Sequence, residues 1–139
     1  MRRSIPFFLA LALIAAGCDR DRDAGQERAF AARALKGALA YPGSSLVSVS
    51  AGSDAAQVEL SSGAAVQDVA AWFRQALQLN GWEIHSDATD KSGTVSIYAA
   101  KGDRPMWITL RPNVGGPGST YTLIGAITAD STAKDSIKR

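Results

Sequence analysis

The stretch from Val66 to Trp82, VQDVAAWFRQALQLNGW, limits the fold more than any other. Val66, Val69, Ala70, Phe73, Ala76 and Leu77 recur at the 3.6-residue period of an α-helix and share one face. Gln67, Asp68, Arg74, Gln75 and Gln78 take the opposite face. Gly81 stands where a left-handed C′ residue would stop the helix. Trp82 and Leu77 then occupy C″ and C3, the usual apolar partners of that stop. A single apolar stripe must be covered, so a sheet is expected against it.

The rest of the chain supplies that sheet. Leu46 to Ser50 and Gln57 to Ser61 flank a turn at Gly52, Ser53 and Asp54, which reads as a hairpin. Pairing Val47 with Leu60 and Val49 with Val58 puts all four on one face. Ser62 is the expected N-cap of the helix. After Trp82 and Ile84, three segments alternate: Val95, Ile97 and Ala99; Met106, Ile108 and Leu110; and a fourth strand over Thr120 to Thr128. Lys91-Ser92-Gly93, Gly102-Asp103-Arg104-Pro105 and the glycine-rich Asn113 to Ser119 are the turns. If Asp87 pairs with Thr94, Ile84 faces Ile97 and Trp82 faces Ala99. If Lys101 pairs with Met106, Ile97 faces Leu110 and Ala99 faces Ile108. Both hairpins then carry their apolar residues on one side. The expected fold is α+β: an antiparallel sheet built as β-hairpin, helix, then β-meander, with the central helix packed on one face.

The N-terminus concerns location. Arg2 and Arg3 precede a short apolar run from Ile5 to Ala16, suited to a secretory signal and shorter than the ~20 residues of a membrane span. The run ends at Ala15-Ala16-Gly17-Cys18, which resembles the lipobox of bacterial lipoproteins. The resemblance implies a diacylglyceryl thioether on Cys18, cleavage before it and acylation of the new amine. Several acyl chains give a stable anchor at about 0.8 kcal/mol per buried methylene. Asp19 resembles an inner-membrane retention signal; the outer membrane is the alternative. Residues 1–17 are thus read as signal peptide. Residues 18–27, CDRDRDAGQE, are lipidated cysteine and charged tether. Residues 28–40 form an alanine-rich helix ended by Tyr41-Pro42-Gly43, residues 41–128 the α+β domain, and residues 129–139 a polar tail.

Composition narrows the function classes. Removing Arg2 and Arg3 from 15 basic residues leaves 13 against 13 acidic ones, so no basic surplus exists to bind nucleic acid. Cys18 is the one cysteine and His85 the one histidine, which leaves no disulfide and too few ligands for a zinc site. No cofactor is implied. The glycine-rich loop at Gly115-Gly116-Pro117-Gly118 is not followed by the Lys-Ser and helix of a phosphate loop.

The outward positions of the meander are the informative surface. In the register above, His85, Ser96 and Arg111 make one row, Glu83, Tyr98 and Thr109 the next, and Trp107 lies diagonal to Tyr98. Histidine beside serine suggests a nucleophile and base, but no G-x-S-x-G elbow supports it, and polar residues are ordinary on the wet face of such a sheet. Tyr98 and Trp107, rimmed by Glu83, His85, Thr109 and Arg111, have the composition of a protein-contact patch. The alternatives are that the Arg28–Ala40 helix or a second copy covers them.

Tyr41-Pro42-Gly43, a hairpin, Val69-x-x-Trp72-Phe73-Arg74-x-x-Leu77 and Gly81-Trp82 together resemble a small uncharacterised α+β domain of bacterial lipoproteins and exported proteins. A weaker likeness is to the helix-grip domains of outer-membrane assembly lipoproteins, which implies a scaffold role. The expected function is therefore a non-catalytic lipoprotein, facing the periplasm, that is held to the membrane by lipid on Cys18 and binds an envelope protein. A small-ligand or lipid binder with a cavity between helix and sheet is the alternative, and a hydrolase using His85 is the third reading. Cys18→Ser is expected to abolish labelling by radioactive palmitate and to move the chain from the membrane pellet to the soluble fraction of fractionated cells.

Overall fold

The computed structural model describes residues 37–126 and, before them, residues 25, 26, 29, 31, 34 and 35. Cys18, the signal segment, most of the tether and the tail from 129 lie outside the described residues. The strands are β1 (Ser45–Ala51), β2 (Ala55–Ser62), β3 (Glu83–Thr89), β4 (Val95–Lys101), β5 (Arg104–Pro112) and β6 (Ser119–Ala126); the helix α1 spans Val66–Leu79 between β2 and β3. The six strands form one antiparallel sheet in the order β1-β2-β6-β5-β4-β3. The expected α+β fold is observed. Its closing step is the pairing of β6 with β2, which joins hairpin and meander into one sheet.

The helix buries Val66, Val69, Ala70, Phe73 and Leu77. The strands beneath it contribute Val95, Ile97, Ala99, Met106, Ile108, Leu110, Tyr121 and Leu123. Its C-terminus ends as the sequence requires. Gly81 has φ 77°, Trp82 N–H donates to Leu77 C=O at 2.9 Å, and Gly81 N–H donates to Gln78 C=O at 3.2 Å. Those two bonds define the Schellman stop. The N-terminus differs from expectation. The N-cap is Ala65, with no side-chain cap, and Ser62 instead accepts from Ala64 N–H at 3.1 Å, tightening the turn before the helix.

The faces of β4 and β5 are as expected, while bulges alter those of β1 and β3, and three registers differ. In the first hairpin Val49 faces Val58, yet Leu46, not Val47, faces Leu60, because Val47 is the extra residue of a bulge. Leu46 and Val47 are 62% and 55% exposed on the edge strand. In β4 and β5, Lys101 faces Arg104, Ile97 faces Ile108 and Ala99 faces Met106. The turn is therefore the two residues Gly102-Asp103; Gly102 has φ 62° and Asp103 a negative φ, the pattern of a II′ hairpin. In β3 and β4, Ile84 faces Ala99 and Asp87 faces Ile97, with an irregularity between Ile84 and Ser86. His85 is the extra residue there. It reverses the parity of the strand beyond it, so Asp87 turns to the helix side. There Asp87 takes a two-pronged ion pair from Arg74 of α1, at 2.5 and 2.9 Å. The bond from Arg74 holds the Asp87 carboxyl below its ordinary range, and that from Asp87 raises Arg74.

The N-terminal segment covers the other half of the same face. Gly25, Gln26, Ala29, Ala31 and Ala34 are helical, so helix begins before Arg28, and a positive φ of 77° at Gly37 lies past its end, ahead of Tyr41. Ala31 and Ala34 pack on Ala56, with Leu35, Val49 and Ala51 around them. The contact is close: a Cβ on Gly125 would lie 2.5 Å from Ala34 C=O. Tyr121, fully buried, fastens the segment that follows: its hydroxyl accepts from Tyr41 N–H at 3.0 Å and donates to Ser44 Oγ at 2.7 Å.

Two outcomes follow from these contacts. Gly125→Ala should lower stability by about 1–3 kcal/mol through overpacking, while Gly63→Ala, where an added Cβ meets nothing within 4 Å, should leave the urea midpoint nearly unchanged. Asp87→Asn should cost about 0.5–1 kcal/mol at neutral pH, the modest figure suited to a pair this solvated. Because the folded-state pKa of Asp87 is depressed, this stabilisation is complete above the unfolded value of about 3.9 and disappears as pH falls through the lower folded value. Urea melts of the two proteins should therefore converge in acid; a gap that stays constant would exclude the ion pair as its cause.

Candidate protein-contact face

Both covering elements, α1 and the described residues between Ala31 and Tyr41, lie on one side of the sheet. The other side carries the residues that alternate with the core: Ser96, Tyr98 and Ala100 on β4, Trp107, Thr109 and Arg111 on β5, Thr122 and Ile124 on β6, and Gln57 and Glu59 on β2. The expectation that the Arg28–Ala40 helix could cover Tyr98 and Trp107 is not met by its described residues.

The true register sharpens this surface. Tyr98 lies directly opposite Trp107, not diagonal to it. Their ring centroids are 5.2 Å apart with planes 26° from parallel. The bulge keeps His85 on this side, and its ring lies 5.7 Å from that of Tyr98 at 34°. Ile124 faces Trp107 from β6, and Gln57 faces Ile124 from β2. A row of three rings, the Tyr98–Trp107 pair stacked and His85 tilted against Tyr98, thus continues into an aliphatic side chain and an amide. Neighbouring strands lie about 4.8 Å apart, so rings at this spacing stand upright on the sheet. Tyr98 has a ring on each side, His85 and Trp107, while His85, on the edge strand, has a ring neighbour on one side only. Trp107 remains 42% exposed.

On either side of the rings lie rows of small residues. Ser96, Thr109 and Thr122 face one another across β4, β5 and β6, with Ala88 and Glu59 at the two ends. On the other side Glu83 faces Ala100, which faces Pro105. Arg111, opposite Thr120, is exposed at the far end. The expected rows therefore change membership. Ser96 is opposite Ala88, so the arrangement of His85, Ser96 and Arg111 in one line does not exist, and the nucleophile-and-base reading loses its geometric basis. Thr109 lies beside Trp107 and not in line with Tyr98, and Glu83 lies one row beyond the rings. Ile124, Thr122 and Gln57 were absent from the sequence-based set. Their signal is present in β6, where Thr120, Thr122 and Ile124 alternate with buried Tyr121 and Leu123, but only the β6–β2 pairing brings them beside Trp107.

The space between helix and sheet is filled. Val69, Ala70, Phe73, Leu77, Leu110 and Tyr121 are all at 0% exposure. Tyr41, Trp72, Phe73 and Tyr121 form a chain of edge-to-face contacts with centroids 5.6, 5.1 and 5.3 Å apart. Among the described residues no buried side-chain polar atom lacks a hydrogen-bond partner, no group of three His, Cys, Asp or Glu could hold a metal ion, and no helix is long and apolar enough to cross a membrane.

Among curated proteins and solved structures none matches the chain significantly. A family model described as START domain-like matches residues 44–123, from just before β1 into β6. That match takes in more than half of the 139 residues, and the chain belongs to the START domain-like family.

Proposed function

We propose that this protein is a lipid-anchored accessory component of the bacterial cell envelope whose START domain-like fold contacts another protein through the outer face of the sheet, without catalysis. The observation that carries this reading is the ring row of His85, Tyr98 and Trp107, with Tyr98 stacked on Trp107, on a face that no described element covers. Large aromatic side chains left at a flat surface are costly to keep wet and are enriched in interface centres. The lipobox likeness at Cys18 supports anchoring, and the short charged tether would hold the domain near the membrane, with Asp19 favouring the inner one. The likeness to small lipoprotein domains and to helix-grip assembly proteins supports an accessory role.

The family match favours a second reading, a small-ligand or lipid binder using the space between helix and sheet. Against it stands the packing there. Phe73, Leu77 and Tyr121 are fully buried, so a ligand would have to displace α1 and forfeit contacts worth about 1.5–3 kcal/mol per large side chain. A hydrolase using His85 has no serine placed opposite its base.

A photo-crosslinking residue at position 107 in living cells is expected to give a protein adduct, and one at Gln75, on the exposed face of α1, is expected to give none. Adducts from Gln75 alone would contradict the siting. Saturable uptake of a fluorescent fatty acid, blocked by Ala70→Trp, would favour the second reading instead.

A further inference from the structure

The geometry points to a second copy of this chain as the occupant of the outer face, with the two sheets packed face to face about a two-fold axis. The inference rests on the reading of that face as a contact surface and names its partner. Three features carry it.

The first is relief. The upright rings of His85, Tyr98 and Trp107 form a ridge. Beside the ridge, the row of Ser96, Thr109 and Thr122 forms a trough of small side chains. A two-fold axis running across the strands between ridge and trough lays each copy's ridge in the other's trough. Tyr98 then meets Ser96 of the second copy, Trp107 meets Thr109, and Ile124 meets Thr122. One surface serves as both halves of the joint, which is what an isologous contact requires.

The second is chemistry. Upright rings expose edges, and the edges of Tyr98, Trp107 and His85 carry an O–H and N–H groups. Ser96 and Thr109 offer hydroxyls that both give and accept hydrogen bonds. A ligand that stacks on ring faces, such as a sugar, would find both faces of Tyr98 occupied. In this arrangement Glu59 meets Gln57 and Arg111 meets Pro105. Glu83 and the Asp90 turn meet at the solvated rim, where repulsion is weak.

The third is size. Six strands about 4.8 Å apart, each showing about seven residues at about 3.3 Å, give a flat footprint on the order of 650 Å². Specific interfaces take about 800 Å² of accessible surface from each partner, and a pleated face exposes more than its footprint. The axis between ridge and trough uses the whole face, whereas the rings alone would fall well short. Aligned packing of two twisted sheets is a standard arrangement.

The test uses two differently tagged full-length copies expressed together, with a photo-crosslinking residue at Ser96 in one. The expected product is a band carrying both tags, reduced about tenfold by Thr109→Glu in both copies, with the variant's melting temperature measured to show that it folds. A band joining the tagged chain to a different protein would overturn the second copy while leaving the contact face in place. An internal link to residues 127–139, or no product at all, would overturn both.

Discussion

The hydroxyl of Tyr121 sits where three parts of the chain meet. Its strand, β6, pairs with β2 on one side and β5 on the other, so it is the seam between hairpin and meander. Its ring packs edge-to-face on Phe73 of α1. Its oxygen ties down Tyr41 and Ser44, leading into β1. A buried hydroxyl with two partners is far less costly than one left unpaired, and loss of both partners would strand it. The seam is also the longest-range pairing in the sheet, the one that most depends on prior collapse of the core. With the Ala34 carbonyl over Gly125 on the same strand, β6 organises everything on the inner side.

How much of this could be read from residues depends on the kind of information each element carries. The helix was legible to its last turn, because Leu77, Gly81 and Trp82 each have a separate reason for their positions. The inner and outer faces of β4 and β5 were legible too, since alternation has period two. Register was not. A shift of two residues preserves every face, so pairing Lys101 with Met106 looked as consistent as the observed pairing with Arg104. The deciding information was the two-residue Gly102-Asp103 turn, and Gly102-Asp103-Arg104-Pro105 hid it inside a longer turn signature. The bulges at Val47 and His85 were hidden because an extra residue leaves no compositional mark in a short strand. The N-cap failed for a related reason: Ser62 has the right chemistry, but it stands three residues before the cap position Ala65 and spends its oxygen on Ala64 N–H.

The same misreading blurred the surface. The residues singled out as an outer patch do lie on the outer face or its rim, yet their relations were wrong by one row. The correction converts a loose collection of polar and aromatic groups into an ordered stack of rings flanked by small side chains. It also separates the two sides of the sheet by role. One side is closed by α1 and the described residues between Ala31 and Tyr41, with Phe73 and Tyr121 packed to zero exposure. The other carries rings that have stacked on one another and still leave Trp107 wet. The bulge ties the two sides together, since the same extra residue that presents His85 outward turns Asp87 toward Arg74 on the helix.

The central claim is that the ring face is covered in the cell and bare in the isolated chain. Hydroxyl-radical footprinting of Tyr98 and Trp107 in intact cells and in dilute purified protein, with buried Trp82 as internal reference, tests it most directly. The account predicts strong protection of both rings in cells, labelling of both in dilute solution, and an unchanged low signal at Trp82. Equal labelling of Trp107 in the two settings would contradict it.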